Sequence, residues 1–185
     1  RWGILSTAHI GRNSVIPAIH KARNSVVAAV ASRNLERARA FARETNIPTA
    51  YGSYEELLAD PNIDAIYNPL PNSEHAPWSI RCAEAGKATL CEKPLASNAA
   101  EAQAMVDAFA RHNVLLAEAF MYRFHPQTQR VRAMIAEGAV GEINIIQASF
   151  TFDITGRDDD IRLKKSLAGG GLMDVGCYCV NVMRL

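Results

Sequence analysis

Trp2-Gly3-Ile4-Leu5-Ser6-Thr7-Ala8-His9-Ile10-Gly11 decides the fold. The first four residues suit a short buried strand. From Ile10 to Ala22 the apolar side chains Val15, Ile16 and Ile19 then fall at helical spacing. A strand, a tight turn and a helix open a βαβ unit, and the orphan N–H groups and dipole at such a helix start can bind a pyrophosphate. The turn is a degraded G-x-G-x-x-G, with Ser6, Ala8 and Gly11 at the three glycine positions. Ala8 fits if the phosphates sit slightly further off, whereas Ser6 must accept a turn that glycine adopts more readily. Taken alone, the stretch also fits a plain tight turn. Read as a dinucleotide site, it offers Ser6, Thr7, Ala8, His9 and Ile10 as contacts.

The alternation continues along the chain. Val26 to Ala31 is an unbroken apolar run that stops at Ser32-Arg33-Asn34, and Leu35 to Glu44 is a helix with Arg37, Arg39 and Arg43 on its wetter side. A short helix at Tyr54–Leu58 precedes the strand Ala65–Asn68, the fourth of the sheet. A helix from Ser73 to Ala85 ends at Gly86, and a strand leads to Cys91. Ser97 is expected to cap a helix with Glu101 near its first turn, running to about His112, before a sixth strand at Val114–Glu118. Apolar strands alternating with helices imply a parallel sheet covered on both faces, an α/β doubly wound Rossmann domain over residues 1–122. Beyond it, Gln127 to Glu137 is a helix closed by Gly138, and the partial alternation of Glu142 to Asp153 predicts the first strand of an antiparallel sheet in an α+β domain. Only 32 residues remain after it, too few for such a sheet, so residues 123–185 are expected to begin a C-terminal substrate and oligomerisation domain in a longer protein.

Hydrophobic residues make up 49% and charged residues 21%, an ordinary globular balance. Twenty basic against nineteen acidic residues, a net charge of +1, argue against nucleic acid or an anionic membrane as partner. No apolar run approaches the roughly 20 residues that cross a bilayer, and no signal peptide opens the chain. The chain begins at Arg1, so at least a methionine is expected upstream, and an export leader would alter the default expectation of a cytoplasmic location. Cys82, Cys91, Cys177 and Cys179 form no C-x-x-C pair and read as free thiols in a reducing compartment. Arg157-Asp158-Asp159-Asp160 reads as a solvated loop, and no metal is expected.

In open parallel sheets ligands sit beyond the carboxyl ends of the strands, where strand order reverses. After the second strand, where an NAD site would place an acid for the ribose hydroxyls, stand Ser32 and Arg33, with Arg37 one helical turn on. An acid repels a 2′-phosphate and arginine binds one bidentately, so NADP is expected over NAD. The loop Asn68-Pro69-Leu70-Pro71-Asn72-Ser73-Glu74-His75 is stiffened by two prolines, and Leu70, Asn72 and His75 are its candidate cofactor contacts. A rigid helix-capping loop would carry the same residues. Cys91-Glu92-Lys93-Pro94 closes the fifth strand, and about eighty residues later comes Gly169-Gly170-Gly171-Leu172-Met173-Asp174-Val175-Gly176-Cys177-Tyr178. Together they offer a lysine, a carboxylate and a phenol, with glycines that let backbone come close to a ligand.

On the strand-one turn, Pro71-Asn72-Ser73-Glu74-His75, Ala85-Gly86-Lys87 before Glu92-Lys93-Pro94, and Gly170-Gly171-Leu172-Met173-Asp174-Val175-Gly176-Cys177-Tyr178, the chain resembles the Gfo/Idh/MocA oxidoreductases along essentially all 185 residues. Tyr178, the Ser32-Arg33 and Arg37 pattern, and Glu118-Ala119-Phe120-Met121-Tyr122-Arg123-Phe124-His125-Pro126 resemble the branch with dimeric dihydrodiol dehydrogenase, NADP-dependent xylose dehydrogenase and glucose-fructose oxidoreductase. Ser6 and Ala8 depart from the glycine pattern. The resemblance implies a Rossmann domain followed by a domain built on a large antiparallel sheet, a homo-oligomer, and hydride transfer between NADP and a sugar, polyol or cyclic vicinal diol. It also implies Lys93, Tyr178 and Asp174 as catalytic residues. Free tyrosine, with a pKa near 10, is a poor base at neutral pH, and a lysine within about 4–6 Å would favour the phenolate. Lys93 would hold the substrate oxygen and tune Tyr178, Asp174 would bind a second hydroxyl or orient Lys93, and Glu92 would meet the nicotinamide ribose. Arg123 and His125 lie near the expected cleft, where either is a candidate to bind substrate hydroxyls and a domain-junction salt bridge is the competing role. Pro94 is a candidate for a cis bond. Two other readings remain open, a dinucleotide-binding regulator without turnover and an inactive fragment of such an enzyme.

Overall fold

A computed structural model describes residues 1–185, which divide into two compact units, Arg1–Glu118 and Ala119–Leu185. In the first, β1 (Trp2–Leu5), β2 (Val27–Ala31), β3 (Thr49–Tyr51), β4 (Ala65–Asn68), β5 (Ala88–Cys91) and β6 (Leu116–Glu118) form one six-stranded sheet. Every pairing is parallel and the order is β3-β2-β1-β4-β5-β6, so strand order reverses between β1 and β4. Thr49–Tyr51 supplies the third strand. Its three half-buried residues form the sheet's edge and lack the apolar run of the central strands.

Alternate side chains point to opposite faces of the sheet, and both faces are buried. Ile4, Val30 and Tyr67 pack with Ile16 and Ile19 of α1 (Ile16–Lys21) and Phe41 and Ala42 of α2 (Leu35–Thr45). Their neighbours Leu5, Ala29, Ala31 and Ile66 pack with α3 (Tyr54–Ala59), α4 (Asn72–Glu84) and α5 (Ala99–His112) through Leu57, Ala83 and Phe109. Gly3 admits this layer, because a β-carbon there would lie 2.7 Å from Leu57 Cδ2 and 3.0 Å from Ile66 Cδ1. At the other end of the sheet the buried Lys87 amine donates to the carbonyls of Asp60 (2.7 Å) and Ile63 (2.6 Å), which ties the α3–β4 connection to β5.

Local chemistry moves several boundaries. The expected helix from Ile10 to Ala22 is a π-helical turn at Gly11–Val15 followed by α1. The cap of α5 is Asn98, whose side chain accepts from the Glu101 N–H at 2.9 Å, and not Ser97. Ser97 instead gives its main-chain N–H to the Glu101 carboxylate at 3.0 Å, so the cap sits one residue later than expected while Glu101 lies in the first turn, as expected.

The second unit contains a 3₁₀ turn at Met121–Phe124, α6 (Pro126–Ala136), 3₁₀ turns at Ile161–Leu163 and Lys165–Leu167, a π-helical turn at Leu172–Gly176, and α7 (Cys177–Met183). The strand expected at 142–153 does not form. A strand exists through ladder hydrogen bonds, and the unit's other regular elements are helical, so alternation alone has nothing to pair with. No helix is long and apolar enough to cross a membrane.

The capping geometry separates two substitutions. Asn98→Ala is expected to destabilise the first unit by about 1 kcal/mol in urea unfolding. Ser97→Ala, which leaves the main-chain donor in place, is expected to shift it by less than about 0.5 kcal/mol.

Candidate active site

Four loops meet at the carboxyl ends of β1, β2, β4 and β5, beside the strand-order reversal. After β1, Ser6 takes φ +73°, the left-handed conformation in which a side chain costs roughly 1–2 kcal/mol. Its main-chain N–H donates to the Ala31 carbonyl at 2.9 Å, and its buried hydroxyl has no hydrogen-bond partner. His9 and Ile10 are exposed, and Thr7 and Ala8 half-buried. Gly11 is buried, with the Tyr67 ring in van der Waals range of its missing β-carbon at 3.6 Å.

After β2, the Ser32 hydroxyl accepts from the Asn34 N–H at 3.3 Å, and Asn34 caps α2 by accepting from the Arg37 N–H at 2.9 Å. Arg33 and Arg37 are exposed, and both oppose the burial that pushes the Tyr54 phenol above its ordinary range. Two exposed arginines therefore stand where an NAD site would hold a carboxylate.

After β4, fully buried Asn68 folds the loop onto α4. Its amide nitrogen donates to Ser79 Oγ at 3.0 Å and to the His75 carbonyl at 3.3 Å, and its oxygen accepts from the Leu70 N–H at 3.2 Å. Leu70 is buried and Asn72, the first residue of α4, half-buried. His75 is only 1% exposed, with Nδ1 2.7 Å from the Pro94 carbonyl oxygen and Nε2 2.8 Å from that of Leu70. Its ring thus faces main chain inside the loop. Burial lowers its pKa and Lys93 adds to this, while the two carbonyls and Glu92 act in the opposite sense.

After β5, Glu92 accepts from the Tyr67 hydroxyl at 2.6 Å and from the Lys93 N–H at 3.3 Å. The Lys93–Pro94 peptide is cis, as expected, and Lys93 is half-buried. The Leu95 N–H donates to Glu118 Oε1 at 2.8 Å. Cys82 and Cys91 are free buried thiols, Cys82 pushed up to about 12 and Cys91 also raised, both chiefly by burial.

In the second unit, the Tyr178 ring packs against Phe120 (5.2 Å between centroids), Phe150 (5.5 Å) and Tyr122 (5.8 Å), and its hydroxyl donates to the Met121 sulfur at 3.6 Å. Asp174 lies in the π-helical turn, 3.9 Å from Arg162 Nε, and Arg162 also stacks over Phe152. Phe150, Phe152, Arg162 and Asp174 help line an open cavity of about 380 Å³. Gly169 packs against main chain, since a β-carbon there would lie 2.5 Å from the Arg162 carbonyl oxygen, which accepts from the Gly170 N–H at 2.7 Å, whereas β-carbons at Gly170 and Gly171 would meet nothing within 4 Å. Arg123 is exposed, and its carbonyl accepts from the Gln129 side chain. His125 caps α6, Nδ1 accepting from the Gln127 N–H at 3.2 Å.

Tyr67, Asn68, Glu118 and Arg162 hold the candidate residues and their loops through contacts that the sequence marks poorly. A tyrosine inside an apolar strand carries no mark separating it from core, and Arg162 acquires its role only by folding beside Asp174. Asn68, a lone amide at the end of a buried strand, was the one legible signal among them.

Residues 1–120 match the model of an oxidoreductase family described as an NAD-binding Rossmann fold, and residues 128–185 match a GFO/IDH/MocA C-terminal domain. The chain is 50% identical over 184 residues to D-xylose 1-dehydrogenase (NADP(+)) 2 of Haloferax volcanii, covering all of this chain and 56% of that protein. It is 40% identical over 190 residues to a trans-1,2-dihydrobenzene-1,2-diol dehydrogenase of Xenopus tropicalis, again all of this chain and 56% of the relative. Among solved structures, the 3-ketoreductase KijD10 of Actinomadura kijaniata, in complex with NADP and TDP-benzene, superposes with a TM-score of 0.90 at 36% identity, over 96% of this chain and 54% of that one. The chain spans about half the length of the relatives it matches.

The buried histidine generates a pH dependence. Because its pKa is lowered in the folded state, folded His75 holds fewer protons than unfolded His75 just below the ordinary value of 6.5. Its contribution to stability is therefore complete above that pH and is lost as pH falls through the lowered folded value. Urea midpoints measured from pH 7.5 to 5 should fall on the acid side, and His75→Gln should flatten the profile in that window.

Proposed function

The chain belongs to the GFO/IDH/MocA oxidoreductase family, and from that premise we propose that it binds NADP and takes part in hydride transfer between the nicotinamide and a secondary alcohol or hemiacetal of a sugar, polyol or cyclic vicinal diol. The observation that carries the cofactor is the end of β2, where Ser32, Arg33 and Arg37 stand in place of an acid. The names of the xylose dehydrogenase and of the NADP-bound ketoreductase support the same choice. The residues fit the group: the Ser6–Ile10 turn opens a helical run, the orphaned Ser6 hydroxyl lies in that turn, and two arginines suit a 2′-phosphate.

When bound, the nicotinamide supplies the hydride acceptor or donor. In the alcohol-to-carbonyl direction the Tyr178 phenolate takes the hydroxyl proton, and in the reverse direction the phenol returns it. Lys93 holds the substrate oxygen. Asp174 binds a neighbouring hydroxyl, its carboxylate turned by Arg162. Glu92, fixed by the Tyr67 hydroxyl, takes the nicotinamide ribose.

Fluorescence titration should give tighter binding of NADPH than NADH by at least about tenfold, most of it lost in Arg33→Ala/Arg37→Ala. With a panel of aldoses and cyclic diols, Tyr178→Phe should reduce kcat by about 10²–10⁴. Lys93→Met should abolish turnover. Dinucleotide binding with no turnover on any panel member would favour the regulator or the inactive fragment, and the full-length protein on the same panel separates the two.

A further inference from the structure

Three contacts, one buried and two partly buried, converge on the turn that carries Lys93. The Tyr67 hydroxyl, from β4, reaches Glu92 at 2.6 Å, and Glu118, at the end of β6, takes the Leu95 N–H at 2.8 Å. His75, in the first turn of α4, places Nδ1 2.7 Å from the Pro94 carbonyl oxygen. Residues 92, 94 and 95 are each tied to a different element, and Lys93 lies between them. Of the three, His75 also reaches a second loop through Nε2, 2.8 Å from the Leu70 carbonyl. At 1% exposed, it acts on main chain rather than on a ligand in this arrangement.

We propose that His75 is a positioning residue for Lys93, and that it fixes the lysine's turn by donating Nδ1–H to the Pro94 carbonyl. This rests on the role proposed above for Lys93. A neutral imidazole has one N–H to give, and both of its neighbours here are acceptors, so one carbonyl receives the bond. The Leu70 loop already has a brace in Asn68, which accepts the Leu70 N–H. Proline has no N–H, so the carbonyl is the only main-chain handle through which residue 94 can be tied. Losing that bond leaves a buried carbonyl unpaired and frees the turn on one side.

The two ring nitrogens can be tested separately. The amide nitrogen of Asn overlies Nδ1 and that of Gln overlies Nε2, so His75→Asn keeps a donor toward Pro94 and His75→Gln keeps one toward Leu70, while His75→Leu keeps neither. Amide exchange at Glu92, Lys93 and Leu95 should quicken about 3- to 10-fold in His75→Leu, return toward the native rate in His75→Asn, and stay fast in His75→Gln. In turnover, kcat should fall and recover in the same order, with the NADPH dissociation constant held within about twofold. Native exchange in all three variants would overturn the proposal, as would rescue by Gln alone, by both amides alike, or by neither. If the native chain binds no dinucleotide, the proposed function fails, while the exchange rates still decide whether His75 holds the turn.

Discussion

The structure depends on a parallel sheet buried on both faces. Ile4, Leu5, Val30, Ile66 and Tyr67 are completely enclosed, so the central strands have no wet side on which to carry chemistry. Polar function is displaced to the strand ends, and the reversal of strand order between β1 and β4 opens the crevice there. The same burial demands a partner for every polar group that remains inside. Asn68, His75 and Lys87 each meet that demand with main-chain carbonyls. The Ser6 hydroxyl is the buried side-chain atom that lacks one, and it lies in the turn assigned to the dinucleotide.

That constraint also joins stability to function in the first unit. Glu92, Pro94 and Leu95 belong to a loop, yet three neighbouring elements hold them. A lysine on a mobile loop would lose much of its value as a proton-handling group, because catalysis rewards groups already placed where charge develops. Tyr67 shows how economical the arrangement is. Its ring packs in the core beneath Gly11, and its hydroxyl reaches the carboxylate beside Lys93.

Most of the fold was legible because apolar runs and helical periodicity are local signals. Trp2–Leu5, Ala65–Asn68 and Ala88–Cys91 lie where the residues place them, and the order of elements implied the parallel sheet. Thr49–Tyr51 was missed because three half-buried residues at a sheet edge carry too little pattern. Residues 142–153 misled in the opposite way, since alternation describes a face, and a strand also needs a neighbour. Ser97 and Asn98 are both good caps, and only the backbone decides between them. Among the candidate residues, lysine, tyrosine, aspartate and the arginines stood out by type and spacing. Tyr67, Glu118 and Arg162 owe their roles to contacts across 25, 23 and 12 residues, which no short motif encodes.

The central claim is that the carboxyl edge of this sheet binds a dinucleotide by its 2′-phosphate, at Arg33 and Arg37. Phosphorus NMR of NADPH with the chain tests it directly, because the 2′-phosphate and the pyrophosphate give separate resonances. The account predicts that the 2′-phosphate signal moves on binding and stays dianionic to lower pH than in free NADPH, since nearby guanidinium groups favour the charged form. A 2′-phosphate that titrates as in the free cofactor while the pyrophosphate signals move would contradict it.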